Sequence, residues 1–87
     1  MELEVRIPAM LRRLTGEARA VKVSGGTIGE VINNLDSLHA GIRNELLAGD
    51  GSIHRFVNIY LNDEDIRFLS GLDTPIGDGD TVSILPA

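Results

Sequence analysis

Chemistry in a small protein needs a nucleophile, a metal or a tuned acid–base pair, and this 87-residue chain offers few candidates. It has no cysteine, so a thiol nucleophile, a thiolate metal site and a disulfide framework are all excluded. Its two histidines, His39 and His54, lack ligand spacing and read as surface imidazoles; His39 falls where a helix end would favour its charge. Asp63-Glu64-Asp65 concentrates carboxylates, but it lacks the alternating ligands and terminal Glu of a calcium loop and reads as a turn. Gly25-Gly26 has no Lys-Ser/Thr pair downstream, so it is a strand-to-helix turn and not a phosphate loop. Ser24, Ser37, Ser52, Ser70 and Ser83 have no plausible His–Asp partners. The residues themselves therefore predict neither a catalytic site nor a bound metal or cofactor.

Composition narrows the class further. The length predicts one domain over residues 1–87, and 43% hydrophobic content is enough for a real core. No apolar run approaches the roughly 20 residues of a membrane span. The opening Met1-Glu2-Leu3-Glu4-Val5-Arg6 alternates charge with apolar residues, unlike a signal peptide, so a cytoplasmic protein is expected. A net charge of −5 argues against nucleic acid as a partner. Residues 1–62 balance seven acids with seven bases, whereas residues 63–87 hold six acids against Arg67 alone. That asymmetry reads either as a solvated face or as a C-terminal surface that steers toward a basic partner.

The elements that would position these residues follow from periodicity. Glu2–Ile7 alternates strictly, with Leu3, Val5 and Ile7 inward, and Pro8 ends the strand. Leu14–Glu17 reads as a turn into a second strand at Ala18–Val23, most simply a hairpin. Thr27 and Glu30 form a capping box that opens a helix over 27–39, with Ile28, Val31, Ile32, Leu35 and Leu38 on one stripe. Gly41 stops it, and Ile42 with Leu46 predicts one or two further turns. Phe56–Leu61 is the third strand, Asp65–Leu69 a short fourth and Thr81–Leu85 the last, with Leu72 and Ile76 as plugs and Gly77–Asp80 as a tight turn. One amphipathic helix covers one sheet, giving a two-layer α+β roll. A mixed five-stranded sheet with the first and last strands parallel at its centre is the β-grasp solution; composition and period alone support only the roll.

Two stretches make the sequence specific. Ile53-His54-Arg55-Phe56-Val57-Asn58-Ile59-Tyr60-Leu61-Asn62-Asp63-Glu64-Asp65-Ile66-Arg67-Phe68 is followed by Gly77-Asp78-Gly79-Asp80-Thr81-Val82-Ser83-Ile84-Leu85-Pro86-Ala87. Together they resemble the small sulfur carriers of the MoaD/ThiS family, above all the CysO-type members of cysteine biosynthesis, and the resemblance runs from Val5 onward. It implies the ubiquitin-like β-grasp fold. It also implies that the chain is a carrier and not an enzyme: a C-terminal Gly-Gly tail whose carboxylate is adenylated and converted to a thiocarboxylate that donates sulfide. ATP would then be used by an E1-like adenylating and sulfur-transferring partner, the acceptor would be a cysteine synthase or a thiazole or thiosugar synthase-like enzyme, and a zinc peptidase would free the product. The carrier itself is expected to be a monomer.

These 87 residues stop at Pro86-Ala87, short of any Gly-Gly, which leaves a shortened chain, a tail beyond it and a precursor form all open. The root of the tail is expected at Leu85, Pro86 and Ala87. Leu85 and Tyr60 alternate outward from core positions, while Phe68 is ambiguous because Ile66 would share its face. The expected docking surface is therefore an apolar patch of Tyr60, Phe68 and Leu85 ringed by Asp63, Asp65, Asp78 and Asp80. Donation to molybdopterin, thiazole or a thiosugar, and a ubiquitin-like module without a covalent role, are the alternatives.

Overall fold

A computed structural model describes residues 2–87. The elements run β1 (Glu2–Arg6), β2 (Ala20–Ser24), α1 (Ile28–Leu38), α2 (Ile42–Leu46), β3 (Val57–Leu61), β4 (Glu64–Asp65) and β5 (Thr81–Pro86). The five strands form one sheet in the order β2-β1-β5-β3-β4. β1 and β5 are parallel at its centre, and the other pairings are antiparallel. Only parallel neighbours need a long crossover between them, and everything from β2 to β4 supplies it.

The inner face of the sheet is the apolar half of each alternation. Leu3, Val5 and Ile7, Val23, Val57 and Ile59, and Val82 and Ile84 are buried. Helix α1 covers them with Ile28, Val31, Ile32 and Leu35, and α2 adds Ile42 and Leu46. This is the β-grasp roll, with one main helix on one face of a mixed sheet. Leu38 departs from the expected stripe and is 62% exposed, because α1 ends there and His39 already leaves helical geometry.

Local chemistry fixes the ends of α1. The Glu30 N–H donates to Thr27 Oγ1 at 3.2 Å, as a capping box requires. The Glu30 carboxylate reaches one residue further back, accepting from the Gly26 N–H at 2.9 Å. Gly25 is needed for close approach: a Cβ there would lie 2.7 Å from Val31 Cγ2. At the other end, Asp36 Oδ1 accepts from the N–H groups of Gly41 and Arg43 and so ties α1 to α2.

Two connections differ from the expectation. β1 and β2 do pair, but a 3₁₀-helix at Ala9–Leu14 stands between them where a simple hairpin was expected. Leu11 plugs the core from this helix, and Thr15 Oγ1 closes its end by donating to the Arg12 and Ala18 carbonyls. β2 accordingly starts at Ala20 and not at Ala18. The fourth strand is two residues long and gives way to a 3₁₀ turn at Ile66–Phe68. The cause is Asp65, whose Oδ1 accepts from the Arg67 N–H at 2.9 Å and bends the chain out of the ladder. Ile66 and Phe68 consequently part company: Ile66 is fully buried and Phe68 is 86% exposed. Leu72 and Ile76 do pack on the core.

Candidate functional site

Strand β5 runs through the centre of the sheet and delivers the end of the chain to one edge of the molecule. Val82 and Ile84 point into the core, which turns Thr81, Ser83 and Leu85 to the outer face. Leu85 keeps 43% of its surface exposed, as the alternation predicts. It lies opposite Asn58 on β3, and Ser83 lies opposite Tyr60. Tyr60 in turn pairs with Asp65, and Ser83 with Arg6, so the outer face carries a continuous polar row across the strands.

The strand is held to its last residue. Pro86 lies opposite Val57, and the Ala87 N–H donates to the Phe56 carbonyl at 2.9 Å. Phe56 itself is 60% exposed, stacked on His54 with ring centroids 4.9 Å apart and covered by the Arg55 guanidinium at 5.2 Å. On the free side of β3, the short β4 leaves the Val57 carbonyl without a strand partner. Arg67 takes its place: Nη2 donates to the Val57 carbonyl at 3.1 Å, and Nη1 donates to Asn58 Oδ1 and to Asp65 Oδ2. A side chain thus substitutes for a missing strand beside the tail root.

A groove of about 400 Å³ lies on the other side of the root. Pro8, Ala9, Leu85 and Pro86 give it an apolar lining, and Arg6, Arg12 and Arg19 surround that lining. Arg12 is anchored by Nε, which donates to the Ile7 carbonyl at 3.1 Å. Arg6 pairs with Glu4 at 3.1 Å. On the far side of the 3₁₀-helix, Arg13 pairs with Glu45 at 2.7 Å beside Met10 and Phe56.

The expected acidic ring around Leu85 is not there. Asp63 follows β3, and Asp78 and Asp80 precede β5, so all three lie at the opposite end of the strands. At ~3.3 Å per residue, Asp80 and Leu85 are separated by roughly 16 Å along β5. Asp65 reaches the tail-root side only through its bond to Arg67, which neutralises it. Phe68 stands apart on the 3₁₀ turn after β4. Asp80 is a structural brace: Oδ2 accepts from the Gly77 N–H at 2.7 Å and Oδ1 from Asn62 Nδ2 at 3.1 Å. The Gly77 N–H foremost, then Asn62, holds its pKa below the ordinary carboxylate value. Asn62 completes the brace by accepting from the Thr81 N–H.

Six of the eight basic residues, Arg6, Arg12, Arg13, Arg19, Arg55 and Arg67, instead gather at the tail-root end. Sequence reasoning missed them because charge was counted along the chain. Their common signal is position: each sits at or just beyond the β5-exit end of a strand, which is visible only once strand order is known. Among the described residues no group of three or more His, Cys, Asp or Glu is placed to hold a metal ion. No described helix is long and apolar enough to cross a membrane. The geometry is that of an exposed, arginine-rimmed end of the sheet around the exit of β5.

The sequence pattern of the ThiS family matches residues 5–87. The chain belongs to the ThiS family. Among relatives, it is 51% identical over 89 residues to the sulfur carrier protein CysO of Mycobacterium tuberculosis, covering 100% of this chain and 96% of that protein. The crystal structure of M. tuberculosis CysO superposes with a TM-score of 0.93 at 50% identity, covering 98% of each chain. CysO in the Amycolatopsis orientalis BexX/CysO complex gives a TM-score of 0.91 at 46% identity, covering 98% of this chain and 94% of that one. These likenesses extend over nearly the whole chain, in agreement with the family membership.

Proposed function

We propose that this ThiS-family chain is a sulfur carrier protein, passed between enzymes as a substrate and carrying no active site of its own. The observation that carries the reading is its 51% identity, over its full length, to a sulfur carrier protein. The tail-root geometry supports it, because the last strand leads out of a fixed body at an exposed end flanked by Leu85, Phe56 and a groove. The BexX/CysO complex of a relative supports docking of such a body on a partner protein.

The chemistry belongs to the chain terminus. A carboxylate is a poor acylating agent. In the partner's site a carboxylate oxygen would attack the α-phosphorus of ATP and expel pyrophosphate. Hydrosulfide would then attack the acyl carbon of the adenylate, lose its proton and expel AMP, leaving a thiocarboxylate. Two terminal glycines suit this, because residues without a Cβ thread a narrow channel. The thiocarboxylate would deliver sulfide to an acceptor enzyme of cysteine biosynthesis in the cytoplasm, and a peptidase would release the product. The body contributes recognition, with Leu85, Pro86 and Tyr60 as contact residues.

Intact-mass analysis tests this. The protein with its native C-terminus is incubated with ATP, its adenylating enzyme and a sulfur donor. The expected result is replacement of one oxygen by one sulfur at the terminus. An unchanged mass with a demonstrably active enzyme overturns the carrier reading.

A further inference from the structure

The body's charge is arranged against its own net sign. The chain carries −5 overall, yet the end from which the tail leaves is lined with guanidinium groups. Three of them surround one apolar groove, and the only acid among its lining residues, Glu4, is already paired with Arg6. The Arg19 carbonyl accepts from the Ile7 N–H at 2.8 Å, while its guanidinium has no hydrogen bond or ion pair among the described residues and the residue is exposed. Arg12 uses Nε on the Ile7 carbonyl, which fixes the stem, and its two Nη groups make no hydrogen bond among the described residues. A guanidinium held by its stem is prepared for bidentate contact with a carboxylate. The groove floor of Pro8, Ala9, Leu85 and Pro86 supplies an apolar seat between these charges.

We propose that this groove docks an acidic segment of the enzyme that activates the chain terminus: Asp or Glu side chains facing Arg12 and Arg19, with an aliphatic side chain seated on Leu85 and Pro86. This rests on the carrier reading and reverses the partner sign expected from the acidic C-terminal quarter of the sequence. Charges at the edge of an interface act mainly on the rate of encounter, so the association rate is the quantity to measure.

The test compares association of the folded protein with its adenylating enzyme at low and high salt. Arg19→Glu is expected to slow association by roughly tenfold at low salt, with dissociation little changed, and to converge on the wild type in high salt. Arg12→Glu serves as a second variant, with thermal unfolding measured for both. Asp78→Lys, at the opposite end, is expected not to slow association. Unchanged or faster association of folded Arg19→Glu and Arg12→Glu, or slower association of Asp78→Lys, overturns the proposal. Leu85→Asp separates the two levels of the argument. If it abolishes binding while the arginine variants do nothing, the acidic partner segment is wrong and the docking end stands. If it leaves binding intact, the docking end itself is wrong.

Discussion

The two ends of β5 are built from the same alternation and put it to opposite uses. At the entry, Gly77, Asn62, Asp80 and Thr81 satisfy one another, so the Asp80 carboxylate is spent on closing a turn. At the exit, Leu85 is left exposed, the Phe56 carbonyl accepts the last bond from Ala87, and arginines line the rim. A turn whose polar groups are mutually bonded has little left to offer a partner. An end with an uncovered leucine, a groove and unspent guanidinium groups offers area, shape and charge. On the proposed reading, recognition would reside in residues gathered at the exit from distant parts of the chain, and Asp80 at the entry would serve folding.

The comparison is broken most sharply at the exit. Leu85→Asp is expected to reduce binding to the adenylating enzyme by more than about a hundredfold, since it places a charge at the centre of the apolar seat. Thermal unfolding should change little, because Leu85 is 43% exposed and the new carboxylate stays in water. A fall like that of a core substitution, on the order of 2–5 kcal/mol, would show instead that Leu85 is part of the core.

The next effect in size belongs to Arg67, which joins stability to the site. Arg67→Ala removes the donor to the Val57 carbonyl and the hold on Asn58, directly opposite Leu85. Urea denaturation is expected to show a loss of about 1–2 kcal/mol. Arg67→Lys should restore little of it, because one ammonium cannot span both acceptors in a fixed plane. Full rescue by lysine would mean that charge alone is what matters there.

Sequence patterns reached as far as local periodicity reaches. Leu3, Val5, Val82 and Ile84 alternate so strictly that the inner face, and with it the outward turn of Leu85, could be read directly. The Thr27 cap and the plugs at Leu72 and Ile76 were equally legible. The fourth strand was not, because one Asp65 side chain competes with the ladder for the backbone of Arg67. Nor was the 3₁₀-helix at Ala9–Leu14, which lacks a full helical period. The docking rim was hidden for a different reason. Arg6 ends β1, Arg12 lies on the 3₁₀-helix, Arg19 precedes β2 and Arg67 follows β4, and their meeting depends on the order of strands in the sheet.

The smallest effect sharpens the comparison from the entry end. The Asp80 carboxylate accepts two hydrogen bonds in its charged form, from the Gly77 N–H foremost and then Asn62, and its folded pKa therefore lies below the ordinary carboxylate value. A group depressed on folding stabilises the native state above its unfolded pKa, and that contribution fades as pH falls through the folded value. Asp80→Asn keeps the shape and removes the charge. It should lower the melting temperature modestly near neutral pH, and the gap to wild type should narrow as the pH is taken below 3.8. Binding to the adenylating enzyme should stay at the wild-type level throughout the neutral range, since Asp80 precedes β5 and lies five positions before Leu85, at the opposite end of the strand. A binding loss comparable to that of the exit variants, with stability intact, would mean that both ends of β5 touch the partner and that the division of labour between them is wrong.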